Sequence, residues 1–423
     1  MVTLDKRVYT ESGEVSYQAV LDNGLQLVLI PKKEGREVTA LMSVQFGSVD
    51  TAFSYEGVEY AYPAGHAHFL EHKMFEAEDG SDVSLSFSQL GTDCNAYTNF
   101  AKTAYFFSAT DNLDALLPLL VSFVETASFT DESIEREKEI IKQEIKMYQD
   151  DPDSQLYQTV LASLFPGTPL AVDVAGDVNT IRHISKDDLV NSHRMFYQPS
   201  NCRLILVGCF NPYEVIKAVS SCQKADRELL NSPVIRQQIA YQPVIPKQTL
   251  RQSVTTPKLA VAYRGLSLDT AEDNLYRQLV LKIYLAMILG WTSEIYQVWY
   301  DNGLIDDSFD MEVEVCQTTQ FIIITGDTKE PIGLATRIKR FLAQSWTSKD
   351  LNQEQFQLVC YELYSEYLRS LDNTELLASQ LSQFVNYLDF PTILKQLTLE
   401  DVVAEGRGFF ETADVVEVTM LPK

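Results

Sequence analysis

Residues 66–76, HAHFLEHKMFE, place two histidines and a glutamate on a short segment that is otherwise largely apolar. Read as a helix, this segment puts His68, Glu71 and His72 at positions i, i+3 and i+4, on one face. Two imidazoles one turn apart can bind one metal ion through ring nitrogens at about 2.0–2.1 Å. The alternative interpretation is a pair of core histidines that are satisfied by hydrogen bonds.

A second segment, DESIEREKEIIKQEIKMYQDD at 131–151, offers a third ligand. A catalytic zinc ion needs three protein ligands and one open position for water. Glu137 and Glu144 fall on the apolar stripe of this predicted helix, where a carboxylate is costly unless it is paired or binds a metal. Glu144 is therefore the predicted third ligand, and Glu137 the residue that supports the site from behind. The alternative is that both carboxylates reach solvent at the edge of the stripe.

These two segments carry a resemblance to a known family. The order His68-x-x-Glu71-His72 is the inverted zinc motif, and with EREKEIIKQEIKMYQDDP at 135–152 it resembles the pitrilysin/insulinase metallopeptidases, which include the mitochondrial processing peptidases. The separation from His72 to Glu144, 144 − 72 = 72 residues, fits that family. The resemblance implies a zinc cofactor held by His68, His72 and Glu144, with Glu71 as general base and Glu137 in support.

The segment CNAYTN at 94–99 resembles the family's N-A-x-T sequence. The resemblance implies that Asn95 and Ala96 lie on an edge strand, which would pair with an extended peptide substrate. The alternative is an ordinary strand of the sheet.

The order of the predicted elements indicates an α+β fold. Asn23-Gly24 is a hairpin signal, strand-like runs follow at 25–30 and 40–46, and helical patterns occupy 112–125 and 131–149. Hairpin-type strands followed by long helices predict helices packed on one face of a mainly antiparallel sheet.

Two weak internal matches indicate a duplication. FYQPSNCRLILV at Phe196 is echoed by FFETADVVEVTM at Phe409, and SFTDESIEREKE at Ser128 by SWTSKDLNQEQF at Ser345, at offsets of 213 and 217 residues. We therefore expect two duplicated α/β-sandwich domains, which resemble those of the processing peptidases and LuxS. The predicted divisions are a zinc-bearing domain at 1–225, a linker at 226–258 and a non-catalytic domain at 259–423, which contains no histidine.

The second half departs from the family pattern. The family carries an Arg and a Tyr, seven residues apart around a Gly-Leu, that hold the substrate and stabilise the oxyanion. Alignment on Gly303-Leu304 puts Trp299 and Asp306 at these positions. Half of an active site is therefore missing, and the resemblance implies a homo- or hetero-dimer with a homologous zinc-less chain that supplies the Arg and Tyr.

Composition limits the partners further. The formal net charge of −25 disfavours nucleic acid and anionic lipid. The N-terminal sequence lacks a signal-peptide pattern, and no apolar run is long enough for a membrane span. Six cysteines without disulfide-type spacing indicate free thiols and a cytoplasmic protein.

The motif and the family resemblance together imply a zinc endopeptidase that hydrolyses extended or unfolded peptides as one half of a two-chain clamshell. The alternative is a non-proteolytic or weakly active accessory factor; some bacterial relatives of this type are linked to modification of elongation factor P.

Overall fold

A computed structural model gives the structure of the protein and describes residues 4–77, 79–222, 229–230, 232–268, 274–316 and 319–423. The chain forms two compact units. Unit 1 comprises residues Met1–Lys146, Asp173–Ile239 and Leu368–Leu388. Unit 2 comprises residues Met147–Val172, Ala240–Tyr367 and Asp389–Lys423.

The main sheet of unit 1 has seven strands in the order β1-β2-β3-β9-β4-β8-β7. Its strands are β1 (Asp5–Val8), β2 (Val15–Val20), β3 (Gln26–Pro31), β4 (Val38–Val44), β7 (Cys94–Thr98), β8 (Thr103–Ala109) and β9 (Cys202–Gly208). All neighbours pair antiparallel except β3 with β9. A small second sheet contains β5 (Ala52–Tyr55), β6 (Val58–Ala61) and β10 (Ile235–Arg236). The mainly antiparallel character agrees with the sequence prediction.

The helices that belong to unit 1, wholly or in large part, come from three stretches of the chain. They are α1 (His66–Met74), α2 (Val83–Gln89), α3 (Leu113–Glu125), α4 (Asp131–Asp150), α6 (Lys186–Phe196), α7 (Pro212–Cys222) and α12 (Thr374–Gln383). Helix α4 begins in unit 1 and ends in unit 2.

Both faces of the unit 1 sheet are covered. All seven residues of β4 are buried. Ala40 and Met42 point into the core beneath α1 and α3. On the other face, the Thr39 hydroxyl donates to Thr374 Oγ1 of α12 at 2.8 Å. The sequence predicts helices on one face of the sheet, and the structure adds α12 on the other face. Because both faces are covered, every residue of β4 is buried.

Unit 2 contains a five-stranded sheet in the order β11-β15-β12-β14-β13. Its strands are β11 (Lys247–Gln252), β12 (Lys258–Arg264), β13 (Asp310–Cys316), β14 (Thr319–Asp327) and β15 (Asp414–Pro422). The helices are α5 (Pro152–Leu164), α8 (Asn274–Leu289), α9 (Glu294–Asp301), α10 (Pro331–Leu342), most of α11 (Gln353–Asp372), α13 (Phe390–Gln396) and α14 (Leu399–Thr412). No single helix in the described ranges could span a membrane by length and composition, although the bent pair α8–α9 passes that test jointly.

The compact units differ from a simple division of the chain into halves. Helix α5 comes from the first half and packs on β12 and β15 of unit 2, while α12 comes from the second half and packs on β4 and β9 of unit 1. The predicted linker also contains β10, which pairs with β5, and β11, which pairs with β15. Residues 226–228 and 231 of that linker lie outside the described residues. The duplication and its boundaries stay a prediction, whereas the compact units take α5 from the first half of the chain into unit 2 and α12 from the second half into unit 1.

Candidate active site

Helix α1 carries the HxxEH motif and is buried along most of its length. Seven of its nine residues are buried. Its N-cap is Gly65, whose φ of 87° favours glycine, and an added Cβ there would lie 2.5 Å from the backbone oxygen of Ala175. Only glycine permits this close approach, so Gly65 determines where α1 begins and how it enters the core.

Helix α4 presents its two predicted site glutamates to α1. The helix buries Ser133, Ile134, Ile141 and Ile145, and Glu137 lies one turn after Ser133 on the same face. The Glu137 side chain is 17% exposed and that of Glu144 is 22% exposed. Because the apolar stripe docks α4 onto the core, both carboxylates are carried toward the histidines instead of into bulk water.

The structure brings His68, His72 and Glu144 together. One ligand atom from each residue lies within 4.8 Å of the others. Glu144 Oε1 is 3.7 Å from His68 Nε2, and Glu144 Oε2 is 3.5 Å from His72 Nε2. Tetrahedral ligands at about 2.0–2.1 Å from zinc are about 3.4 Å apart. Two imidazoles and a carboxylate at these separations fit a divalent metal such as zinc.

Glu137 orients one of the two imidazoles. A carboxylate can only accept, so the Nδ1–H of His72 donates to Glu137 Oε1, at 3.0 Å. This hydrogen bond leaves the Nε2 lone pair of His72 facing Glu144. Glu137 thus occupies the position predicted for it, behind the histidine.

The electrostatics of the two histidines differ. Burial, with the charge of His72, lowers the pKa of His68 to about 3, so its imidazole is neutral near pH 7. Burial also opposes a charged His72, but the hydrogen bond and charge of Glu137, together with Glu144 and Glu71, outweigh it and raise the pKa of His72. A bound cation would compete with this proton for the same lone pair.

Glu71 is a buried carboxylate beside this cluster. Glu71 is only 7% exposed. Burial raises the pKa of its carboxyl, although a hydrogen bond from Thr98 and the charge of His72 oppose the rise. A carboxylate whose pKa is moved toward neutrality is suited to proton transfer.

Thr98, the last residue of the N-A-x-T sequence, contacts Glu71 and was not singled out by the sequence analysis. Its hydroxyl donates to Glu71 Oε2 at 2.5 Å. Thr103 Oγ1, 3.2 Å from Thr98 Oγ1, gives its own proton to the Phe46 carbonyl at 2.9 Å, which leaves the Thr98 proton for Glu71. The available signal was the alternation of β7, since Thr98 lies two residues after Ala96 and therefore on the same face.

Strand β7 forms one end of the seven-stranded sheet and packs beside α1. Asn95 is exposed, and its Oδ1 accepts the Ala96 N–H at 2.9 Å. The edge position agrees with the predicted strand. That Asn95 and Ala96 bind substrate stays a prediction.

Two further histidines are structural. His66 Nε2 contacts Ser192 Oγ at 2.6 Å and the ring stacks on Tyr62, while His193 Nε2 donates to the Val124 carbonyl at 3.0 Å. Neither reaches the cluster of His68, His72 and Glu144 among the described residues.

Trp299 and Asp306, which stand in unit 2 where the family has Arg and Tyr, have structural roles. Trp299 is 4% exposed and packs edge-on against Phe309 and Phe341. Asp306 Oδ1 accepts from the backbone N–H and the hydroxyl of Ser308, which lowers its pKa. A buried indole and a turn-capping carboxylate cannot replace a guanidinium and a phenol.

Comparison with known proteins supports the resemblance to zinc metallopeptidases. The model for Insulinase (Peptidase family M16) matches residues 27–178, and that for the Peptidase M16 inactive domain matches residues 183–358. The Bacillus subtilis protein described as uncharacterized zinc protease YmfH is 33% identical over 403 residues, 93% of this chain and 94% of that protein. The chain belongs to the M16 peptidase family. The part that matches the inactive domain is largely the part without histidines.

Solved structures confirm the two-domain α+β fold of this M16 chain. A putative M16-like peptidase from Alicyclobacillus acidocaldarius has a TM-score of 0.91 and 29% identity, over 98% of this chain and 100% of that one. The periplasmic protease PqqL from Escherichia coli has a TM-score of 0.73 over 99% of this chain but only 48% of its own. At 17% identity the second likeness shows the fold alone.

Proposed function

We propose that this M16 chain is a zinc-dependent endopeptidase that hydrolyses extended or unfolded peptides. The observation that carries the proposal is the convergence of His68, His72 and Glu144, with the buried carboxylate of Glu71 beside them. The description of the relative YmfH as a zinc protease supports zinc as the metal.

The residues of the chain divide the chemistry among them. When bound, zinc would polarise the scissile carbonyl and acidify a water molecule. Glu71 takes the proton from that water and returns it to the leaving amine, and Thr98 holds the carboxylate in place. Glu137 keeps His72 in the tautomer that offers Nε2. The free edge of β7 holds the substrate backbone in an extended conformation.

We propose that a homologous chain completes the site. Trp299 and Asp306 are committed to packing and to a turn, so this chain offers neither an Arg nor a Tyr at those positions. The family resemblance implies a two-chain arrangement in which each chain contributes one half of the site. The partner would supply the cationic and phenolic groups that stabilise the oxyanion.

The experiment combines metal analysis with a cleavage assay. Purified protein should contain about one zinc per chain, and Glu144→Gln should lose it. Glu139→Gln, a change of the same type at a position 68% exposed on the same helix, is the matched control and should keep it. With the partner present, wild type should cleave an unstructured peptide and Glu71→Gln should not. A protein without zinc would refute the proposal.

A second candidate function is favoured by the same two departures. Trp299 and Asp306 stand where the family has its Arg and Tyr, which is also expected of a chain that does not hydrolyse peptides. In that case the protein is an accessory or modification factor that binds peptides. This candidate predicts zinc binding without cleavage in any combination of chains, and no phenotype for Glu71→Gln in cells.

We also propose a reducing, cytoplasmic location. All six cysteines are free thiols. Cell fractionation followed by thiol labelling tests this location, and recovery in an oxidising compartment would contradict it.

A further inference from the structure

Lys73, the residue after His72, is buried in the core of unit 1. It is 1% exposed and among the largest fully buried side chains of the described residues. A buried ammonium is costly unless it is paired and hydrogen-bonded. The HxxEH chemistry does not use this cation, so its position requires another explanation.

The Lys73 ammonium joins the end of α1 to the start of α4. It forms an ion pair with Glu76 and donates to Ser133 Oγ at 2.9 Å. Ser133 gives its own proton to the Thr130 carbonyl at 3.0 Å, and its N–H donates to Thr130 Oγ1 at 3.1 Å. The Ser133 hydroxyl is therefore oriented as an acceptor for Lys73, and it is itself held by the first turn of α4.

This contact is the first of three along one seam between α1 and α4. Ser133, Glu137 and Glu144 lie at i, i+4 and i+11 of α4, on one face. Their partners on α1 run in the opposite order. Ser133 binds Lys73, Glu137 binds His72, and Glu144 faces His72 and His68. The two glutamates thus share their placement with Ser133, and a shift of α4 along α1 would move all three together.

A purely stabilising role explains Lys73 poorly. Lys73 lies in the last turn of α1, where the helix dipole favours a cation, but also at the N-terminus of α4, where the dipole opposes one. Buried ion pairs replaced by apolar residues of similar size are often neutral or favourable for stability. A metal site, in contrast, tolerates ligand displacements of only about 0.2 Å. One residue of axial slip moves Glu144 by about 1.5 Å.

We propose that Lys73 is a positioning residue, which through Ser133 sets the register of α4 on α1 and thereby the metal affinity of the His68–His72–Glu144 cluster. This inference rests on the proposed function only in that the cluster binds zinc. It does not depend on peptide cleavage.

The test measures zinc affinity and stability separately in the full chain. Lys73→Met removes the ammonium with little change in volume, and Ser133→Ala removes only its acceptor. Lys32→Met is the matched control, since Lys32 pairs with Glu14 at 2.6 Å in the same unit and is 16% exposed. Chelator competition gives the zinc dissociation constant, and thermal unfolding of the metal-free protein gives stability.

We expect zinc to bind about 10-fold more weakly to Lys73→Met and Ser133→Ala, as for other groups that orient metal ligands. Lys73→Met should keep the wild-type melting temperature without metal, whereas Ser133→Ala, which leaves the buried ammonium without one of its acceptors, should melt at a lower temperature. The cobalt-substituted forms of both variants should show a shifted visible spectrum. Lys32→Met should match wild type in every measurement. If Lys73→Met fails to fold, the zinc affinity and the cobalt spectrum of Ser133→Ala decide whether this contact positions the metal ligands.

Wild-type zinc affinity and an unshifted cobalt spectrum in the folded variants would overturn the role of Lys73 while leaving the proposed function standing. A loss of affinity in Lys73→Met that only parallels a loss of metal-free stability would also overturn it. A wild-type chain that binds no zinc would remove both proposals together.

Discussion

Replacement of Thr98 by valine is expected to slow peptide hydrolysis without weakening metal binding. Valine keeps the shape of threonine but removes the proton that Thr98 donates to Glu71 Oε2 at 2.5 Å. Glu71 is 7% exposed, so water has little access to replace that donor. A hydrogen bond to a charged group contributes about 1.5–3 kcal/mol, which bounds the fall in kcat at about 10- to 160-fold.

The pH dependence should change in a defined direction. Burial raises the pKa of Glu71, and the Thr98 hydrogen bond opposes this rise. Without the hydroxyl the pKa of Glu71 rises further. Because Glu71 acts as a base only when ionised, the acidic limb of the rate profile should move to higher pH in Thr98→Val.

The assay is steady-state cleavage of an unstructured fluorogenic peptide by the zinc-loaded chain with its partner. KM and zinc content should stay at wild-type values because the backbone of β7 and the three proposed ligands are unchanged. Thr98→Ser restores the hydroxyl and should recover most of the kcat. The role of Thr98 is refuted if Thr98→Val keeps wild-type kcat, or if serine fails to rescue it.

Three further predictions concern stability. Burial lowers the pKa of His66 to about 4, below its unfolded value of about 6.5. The unfolded chain therefore binds more protons, and the free energy of unfolding falls as the pH drops from about 6.5 to 4. In urea unfolding without metal, His66→Phe should lose about 3 kcal/mol less than wild type over that range, and equal losses would contradict this. Leu377→Ala, at a fully buried position of α12, should cost about 2–5 kcal/mol, whereas Leu376→Ala, 43% exposed, should cost less than about 1 kcal/mol; similar costs in denaturant unfolding would argue against α12 as part of the core. Gly65 and Gly91 both have a positive φ, so alanine at either position is strained by about 1–2 kcal/mol. Of these two positions only 65 would bring the new Cβ within 4 Å of other backbone, so Gly65→Ala should lower the melting temperature much more than Gly91→Ala and should also lose zinc. Equal melting temperatures in calorimetry would refute the close-approach argument.

The sequence was most informative where one helix carries the pattern. The spacing of His68, Glu71 and His72 within a helix predicts their common face, because helical geometry is local. The apolar stripe of α4 likewise predicted that Glu137 and Glu144 point inward, and the structure places both beside α1. These inferences needed only the periodicity of single elements.

Other features depended on partners distant in the chain. Lys73 reads as an ordinary charged residue until Ser133, sixty positions away, is seen to accept from it. The alternation of β7 places Thr98 on the face of Ala96, but nothing in the sequence shows that its partner is Glu71, which is 27 residues earlier. The burial of Trp299 against Phe341 is a matter of packing within unit 2 that no local pattern reports.

By itself, the sequence determined the family, the α+β class and the residues that can bind a metal, because short-range periodicity and motif spacing are written in consecutive residues. Only the tertiary structure decided which repeat each helix covers. Helices α5 and α12 each bury a set of mainly apolar residues, and the choice of sheet depends on surface complementarity between segments that lie far apart in the sequence. The same long-range packing decided that Lys73 and Thr98 serve the site.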